Sequence, residues 1–310
     1  MAGLLCGNAG SMGGESLVSV MMPCFNAERT LPMALASLRT QSYQSWEAVV
    51  VDDGSSDRTW HLLQAAGEPR LRLERFDTNR GRGAARQRCL EMARGEFLSF
   101  LDADDWLFPD KLTEQVSLMH EHPELTVVSG ACIITNARGE PVGLTRTGIG
   151  SGQDFTTGRF TRPRPPPLSF PPCMVRMKDA KNARFNAEFR RSQDSDFLIQ
   201  VMLGKRYGVS AKPVYAYSQA EAATLSKTIE GYRYRLRCYA QYTERYPLQS
   251  RAQMAKTLGR MGIYKVVGWL HAEKRLIERR WERITPPAQK AYDEAKATVT
   301  RMRTELREAS

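Results

Sequence analysis

Two clusters of carboxylates each follow directly on a short apolar run. Phe97-Leu-Ser-Phe-Leu101 ends in Asp102-Ala103-Asp104-Asp105, and Ala48-Val-Val-Val51 ends in Asp52-Asp53-Gly54-Ser55-Ser56-Asp57. Crowding like charges at the end of a buried element is costly, because each charge opposes the next and part of their water is removed. A divalent cation relieves that cost. Mg²⁺ and Mn²⁺ accept oxygen ligands, and Mg²⁺ typically takes one or two carboxylates plus phosphate oxygens. Asp102 and Asp104, two apart on a turn, have the spacing to hold such an ion directly or through water. It would then bridge the phosphates of a nucleotide and neutralise charge on a departing diphosphate. Taken alone, Asp-x-Asp reads more readily as a polar capping loop ahead of Pro109. Asp52 and Asp53 divide the same way. As structure they belong to a turn and helix cap; as function they would accept hydrogen bonds from a nucleobase or ribose.

The elements that must position these groups follow from the apolar pattern. Leu17–Pro23 is an apolar run stopped by a proline, and Ala48–Val51 is wholly apolar and mostly β-branched; both predict buried strands. Asn26 precedes a helix with Leu31, Ala34, Leu35 and Leu38 at helical spacing. The run Asp52–Asp57 launches a helix around Trp60–Ala66, and Leu71–Phe76 and Gly83–Ala93 read as a strand and a helix. Phe97–Leu101 is a fourth strand, a helix after Pro109 carries Leu112, Val116 and Met119 on one face, and Thr126–Ile134 is a further strand. This alternation predicts an α/β fold, a doubly wound, mostly parallel, Rossmann-like sheet with right-handed crossovers. Ligands of such sheets bind at the carboxyl ends of strands, where both acidic clusters fall. From Ala137 to Pro172 regularity fails, with stiff Arg162-Pro-Arg-Pro-Pro-Pro167 inside it. Periodicity returns as a helix at Asp196–Leu203 and a strand at Val209–Tyr217.

Read together, these stretches carry a resemblance. Val18-Ser-Val-Met-Met-Pro-Cys-Phe-Asn-Ala27, followed by Val49-Val-Val-Asp-Asp-Gly-Ser-Ser-Asp-Arg-Thr59, resembles the opening of family-2 glycosyltransferases with the GT-A fold. Asn79-Arg-Gly81, Ala85-Arg86 and Ala93-Arg-Gly-Glu96 continue it, and Phe97–Asp105 is similar to the family's metal-binding strand end. These elements keep the family's order and spacing over about 90 residues. The resemblance implies a donor pocket lined by Pro23, Phe25 and Asn26, with Glu28 at its rim. It makes Asp53 the contact to the base, with Asp52 beside it, and sets Arg80 and Arg86 near the donor. As plain structure, Arg80 and Arg86 are equally well surface charges on a loop and helix. The resemblance also implies that Asp102 and Ala103 belong to the donor site, and that Asp102 and Asp104 hold Mn²⁺ or Mg²⁺, Asp104 the more directly.

An enzyme of this family that inverts the sugar also needs a base to take the proton of the acceptor hydroxyl. Ser192-Gln-Asp-Ser-Asp-Phe197 resembles the family's Glu-Asp motif and puts Asp194 at the base position, although Asp194 or Asp196 also suits a helix N-cap. Two departures stand out. Gln193 occupies the place of a usual Glu, and Tyr217–Ser226 lacks the Arg and His that relatives often carry there, leaving Gln219, Glu221 or the basic tail to replace them. No Gln-x-x-Arg-Trp motif of processive synthases is present. The implied reaction is therefore a single transfer from a nucleoside diphosphate-sugar, with uridine the favoured base, to a hydroxyl of a glycan or glycolipid. Pro-rich Arg162–Pro172 is expected to border the acceptor.

Charge is unevenly spread. Of the net +11, Lys227 onward carries 19 Lys/Arg against 9 Asp/Glu, whereas the preceding part holds 26 against 25. The predicted organisation is a disordered leader over 1–15, the GT-A domain over 16–226, and a basic helical extension over 227–310. Such a tail suits an anionic membrane surface or an acidic partner, or is simply a solvated helical face. No apolar run approaches the roughly 20 residues of a membrane-spanning helix. Six scattered cysteines argue against a zinc site or disulfide framework and fit a reducing cytoplasm. Three other readings compete. A sugar-nucleotide pyrophosphorylase usually has a glycine-rich loop after its first strand, but here that loop is Cys24-Phe-Asn-Ala-Glu-Arg-Thr30. A nucleic-acid binder would use the arginines and tyrosines of Tyr232–Tyr246, yet no nucleic-acid-binding motif accompanies them. A catalytically degenerate nucleotide binder is the third, suggested by Gln193 and the missing His.

Overall fold

Strands made mostly of apolar residues can be buried on both faces, and here they form the middle of the molecule. The computed structural model describes residues 15–149, 153–218, 224–269 and 281–308. Strands β1 (Val18–Cys24), β2 (Trp46–Asp52), β3 (Leu71–Arg75) and β4 (Phe97–Phe100) are parallel and lie in the order β3-β2-β1-β4. They are joined by helices α1 (Leu31–Arg39), α2 (Thr59–Ala65) and α3 (Arg82–Met92), and α4 (Lys111–Glu121) follows β4. Successive side chains of a strand point to opposite faces, so the sheet builds two cores. On one face Val20, Met22 and Val50 pack with Leu31, Leu35 and Leu38 of α1 and with Leu112, Val116 and Met119 of α4. On the other, Met21, Val49 and Val51 pack with Ala85, Cys89 and Leu90 of α3. Register decides where the chemistry can be. Cys24 lies opposite Asp52 and Met21 opposite Phe100, so the chain leaves β1, β2 and β4 along one edge.

Beyond β4 the sheet continues β9-β6-β10-β5. These strands are β5 (Trp106–Leu107), β6 (Leu125–Thr135), β9 (Met174–Arg176) and β10 (Arg206–Ser218). β6 and β10 are parallel, as the alternation predicts, whereas β9 runs antiparallel to both β4 and β6, and β5 antiparallel to β10. The stretch expected to be irregular carries two edge strands, β7 (Pro141–Leu144) against β6 and β8 (Phe155–Arg159) against β10. Such short strands lack a periodicity of their own and are fixed by distant partners. Val175, for example, lies opposite both Leu98 and Val127.

The helix after the Pro-rich stretch, α6 (Gln193–Met202), begins three residues earlier than its apolar periodicity suggests and is preceded by the short α5 (Met177–Ala180). The basic extension is helical, with α7 (Leu225–Ala240), α8 (Pro247–Trp269) and α9 (Pro286–Glu308). α7 buries Cys238 and Tyr239 in the core shared with α3 and α6. α9 buries Tyr292, Ala295 and Val299 against Ala36, Trp106 and Phe108. The expected leader lies, apart from Glu15, outside the described residues, as do Gln219 and Glu221. All five described cysteines are buried and free, and no described helix is long and apolar enough to cross a membrane.

Candidate active site

At the end of β2 most of the acids are taken up by the backbone. Asp52 is fully buried; its Oδ1 accepts from the Ser55 hydroxyl and, at 3.2 Å, from the Ser55 N–H, while Oδ2 lies 3.2 Å from Arg75 Nε. Gly54 has φ +70°, and a Cβ there would stand 2.7 Å from the Thr78 carbonyl carbon, so the turn requires glycine. Asp53 accepts the Arg80 and Gly81 N–H groups at 2.7 and 2.9 Å, pinning the loop that leads into α3. Burial raises the Asp53 pKa, and the two N–H groups oppose that rise. Asn26, with φ +48°, uses its side-chain oxygen to accept the Ser56 N–H at 2.9 Å. Glu28 donates its own N–H to Asp57 and accepts the Arg58 N–H, both at 3.1 Å. Glu28 therefore joins two loops rather than facing a ligand.

The end of β4 is different. Arg86 is buried, and one guanidinium nitrogen meets both Asp102 oxygens at 2.8 and 3.1 Å; its plane lies over Phe170. Burial works against the Arg86 charge, but Asp102 first and Asp194 second hold its pKa up. For Asp102 burial again opposes ionisation, and Arg86 with Arg82 more than reverses this, leaving its pKa lowered. Asp105 is buried; Tyr215 donates its hydroxyl to Oδ2 at 2.8 Å and Ser218 its N–H to Oδ1 at 2.7 Å. The same Tyr215 oxygen accepts the Asp102 N–H at 3.1 Å. Asp104 is the acid turned into open space. Its surroundings strip water from it and Asp102 repels it, so its pKa is raised.

Two clefts open along this edge. The first, about 880 Å³, is lined by Pro23, Phe25, Asn26, Asp53, Arg80 and Ala103 together with Asp102 and Asp104. Its outer wall is residues 187–191, brought close to α3 because a Cβ on Gly83 would stand 2.8 Å from the Asn186 oxygen. Asp52, Glu28 and Arg86 do not line it. The second cleft, about 1020 Å³, contains Asp194, Tyr217 and Tyr232, and residues 165, 166 and 168–171 of the Pro-rich stretch form one side. Arg82, Asp104 and Arg191 line both clefts, so the two meet there. Asp194 lies in the first turn of α6 behind Ser192, whose φ is +62°, and accepts the Ser195 N–H at 2.7 Å. Gln193 is buried, so its neutral side chain avoids placing a second carboxylate in the protein interior. Asp196 is also buried; it accepts the Gln200 amide at 2.9 Å and lies 3.1 Å from Cys238 Sγ, tying α6 to α7. Sequence reasoning missed Arg82, Arg191, Asp105 and Tyr215. No single stretch signals them, because their roles arise only where β4, α3, α6 and β10 converge.

Among the described residues no cluster of three or more His, Cys, Asp or Glu gathers around one point. An ion shared with phosphate needs no such cage, only one or two carboxylates. Asp104 fits such an ion: it faces the cleft, and its pKa is raised partly by the neighbouring Asp102 charge.

Comparison with known proteins identifies the family and the fold. Residues 19–184 match the family model for glycosyl transferase family 2, more than half of the chain, and the chain belongs to that family. Its fold is GT-A, similar to Staphylococcus aureus TarS 1–349 solved with UDP-GlcNAc. That likeness has a TM-score of 0.56 and 19% identity over 92% of this chain and 81% of that one, and it carries the fold alone. An uncharacterized glycosyltransferase of Haemophilus influenzae is 35% identical over 133 residues, 42% of this chain and 53% of the relative. The Escherichia coli UDP-Glc:alpha-D-GlcNAc-diphosphoundecaprenol beta-1,3-glucosyltransferase WfgD is 39% identical over 105 residues, 34% of this chain and 42% of the relative. The chain spans about half the length of these relatives.

Proposed function

We propose that the protein is an inverting, metal-dependent glycosyltransferase. It moves one sugar from a nucleoside diphosphate-sugar, with uridine as the base, to a hydroxyl of a glycan or glycolipid in polysaccharide synthesis. The observation that carries this reading is the meeting of the two clefts at Arg82, Asp104 and Arg191, with the nucleotide-type residues in one and Asp194 in the other. UDP-GlcNAc bound to TarS and the UDP-sugar named for WfgD support the donor class.

In this reading the nucleoside occupies the first cleft beside Phe25, Asn26 and Asp53, and the diphosphate reaches the junction. Mg²⁺ or Mn²⁺ bound there, held by Asp104 with Asp102 behind it, would supply a counter-charge to the diphosphate. Arg82 and Arg191 line the same place and stabilise the negative charge that develops on the leaving group. Arg86 keeps Asp102 ionised and fixed in direction. From the second cleft the acceptor oxygen attacks the anomeric carbon opposite the leaving group. The new carbon–oxygen bond forms as the bond to the diphosphate breaks. The electron pair leaves with the nucleoside diphosphate, the acceptor proton passes to Asp194, and the configuration inverts. The basic tail is read as meeting an anionic membrane surface, where a lipid-linked acceptor would be found.

Two substitutions test the assignment. Asp194→Asn lowers kcat by about 10²–10⁴-fold, the usual worth of a general base, and leaves nucleotide binding intact. In the wild type, UDP with Mn²⁺ at a hundred times its dissociation constant raises stability by about 2.7 kcal/mol, measured by thermal unfolding. Asp104→Ala abolishes that increment. Stabilisation that persists with chelator would remove the metal from the reading, and no response to any nucleoside diphosphate would remove the donor.

A further inference from the structure

Helix α8 has two unlike long faces. Successive residues turn by about 100°, so positions three and four apart share a side. One side, with Ser250, Thr257 and Tyr264, is buried, and Tyr264 also lines the second cleft. The opposite side exposes Leu248 (76%), Leu258 (55%), Ile263 (57%), Val266 (56%) and Trp269 (80%). These five are among only seven large apolar side chains exposed in the described chain. A soluble helix places charge on its outer face; α8 places its largest apolar groups there. Between these groups on the helical wheel stand Ala252, Ala255, Gly259 and Gly262, so the strip has little polar interruption.

Charge completes the pattern. From Pro247 to Trp269 there is no acidic residue, and the four charged side chains, Arg251, Lys256, Arg260 and Lys265, are all basic and exposed. At about 100° per residue Lys265 falls on one flank of the apolar strip, Lys256 and Arg260 on the other, and Arg251 beside Trp269 within it. An apolar strip bordered by cations, ending in a tryptophan, is the form of a helix that lies in the plane of an anionic bilayer. A water-facing partner would leave the exposed tryptophan and isoleucine unexplained. An acidic protein would explain the cations but not an apolar strip between them.

We propose that the outer face of α8 docks on an anionic lipid bilayer, its apolar strip entering the headgroup region and its cations contacting lipid phosphates. This deepens, and rests on, the reading that the tail meets a membrane; it names the element and adds a consequence. Because Tyr264 on the inner face lines the second cleft, docking holds the acceptor cleft one helix diameter from the lipid surface. A lipid-linked acceptor then reaches Asp194 without leaving the bilayer entirely.

The test is co-sedimentation of the full chain with phosphatidylcholine vesicles, with and without phosphatidylglycerol, at physiological salt. Three proteins are compared: wild type, the α8 variant Ile263→Glu/Val266→Glu/Trp269→Glu, and the control Lys290→Glu/Arg301→Glu on α9. All the substituted side chains are exposed, and unchanged thermal unfolding with UDP and Mn²⁺ reports that fold and donor site are intact. Expected are binding to the anionic vesicles alone, loss of more than about tenfold in the α8 variant, and at most a few-fold change in the control. Equal binding by wild type and the α8 variant, with loss in the control, overturns the assignment to α8 and leaves the tail reading standing. No binding by the wild type overturns both. Wild-type self-association that the α8 variant abolishes, with vesicles ignored, replaces the bilayer by a second copy of the chain and overturns the proposal.

Discussion

The ends of β2 and β4 carry nearly the same sequence signature, a valine- or leucine-rich strand closing in a run of aspartates, yet the two runs are used differently. At β2 the carboxylates bind their own chain: Asp52 to Ser55, Asp53 to the Arg80 and Gly81 N–H groups, and Asp57 to the Glu28 N–H. At β4 two acids are satisfied by distant side chains, Asp102 by Arg86 and Asp105 by Tyr215, and the third is left facing the cleft. A run of acids therefore marks a place where charge is concentrated. The donors available nearby decide which member is left for a ligand.

Substitutions that act oppositely at the two ends sharpen this contrast. The largest effect is expected from Arg86→Met. It leaves Asp102 without its counter-charge beside Asp104, and should cost about 3 kcal/mol in urea denaturation, the low end for breaking a buried pair because Asp102 keeps some solvent. Asp53→Ala removes the acceptor of two part-buried N–H groups and should cost about 1 kcal/mol by the same measurement, with or without chelator. Asp104→Asn should do the reverse in chelator, raising stability by no more than about 0.5 kcal/mol, as befits an exposed site. The sign follows from protonation. A carboxyl whose folded pKa is raised loses stability as it ionises, so the gain from Asp104→Asn is present at pH 7 and disappears below about pH 4, where the acid is neutral in both states. A gain that survives at low pH would show that charge is not its cause, and a loss as large as that of Asp53→Ala would make the two ends alike.

Much of this was legible from sequence because it is local. The strands β1, β2 and β4 announce themselves by mostly apolar runs, and their shared direction sends Asn26, Asp53 and Asp104 to one edge. Local signals misplace residues when a short-range partner captures them. Glu28 looks like a rim residue until its exchange with Asp57 and Arg58 is seen, and Asp52 like a nucleotide contact until Ser55 and Arg75 close around it. What was illegible depends on remote pairing. β9 is three residues long and exists because β4 and β6 leave a gap for it. Tyr215 joins Asp102 to Asp105 only because β10 lies beside β5, and nothing near position 215 reveals it.

The packing of α9 bears on how the chain is assembled in time. Tyr292 and Lys296 both donate to the Gly139 oxygen, at 2.8 and 2.6 Å, and Tyr292 lies among Ala36, Trp106 and Phe108. Residues of α1, β5 and the turn at Gly139 are thus covered by residues more than 150 positions further along the chain. Closing so long a loop carries an entropy cost that no local contact offsets beforehand, and it slows folding. Until α9 arrives on the ribosome, the outer side of α1 and the β5 aromatics stay uncovered. Until synthesis reaches α9, a nascent chain of this protein exposes apolar surface of the kind that chaperones shield.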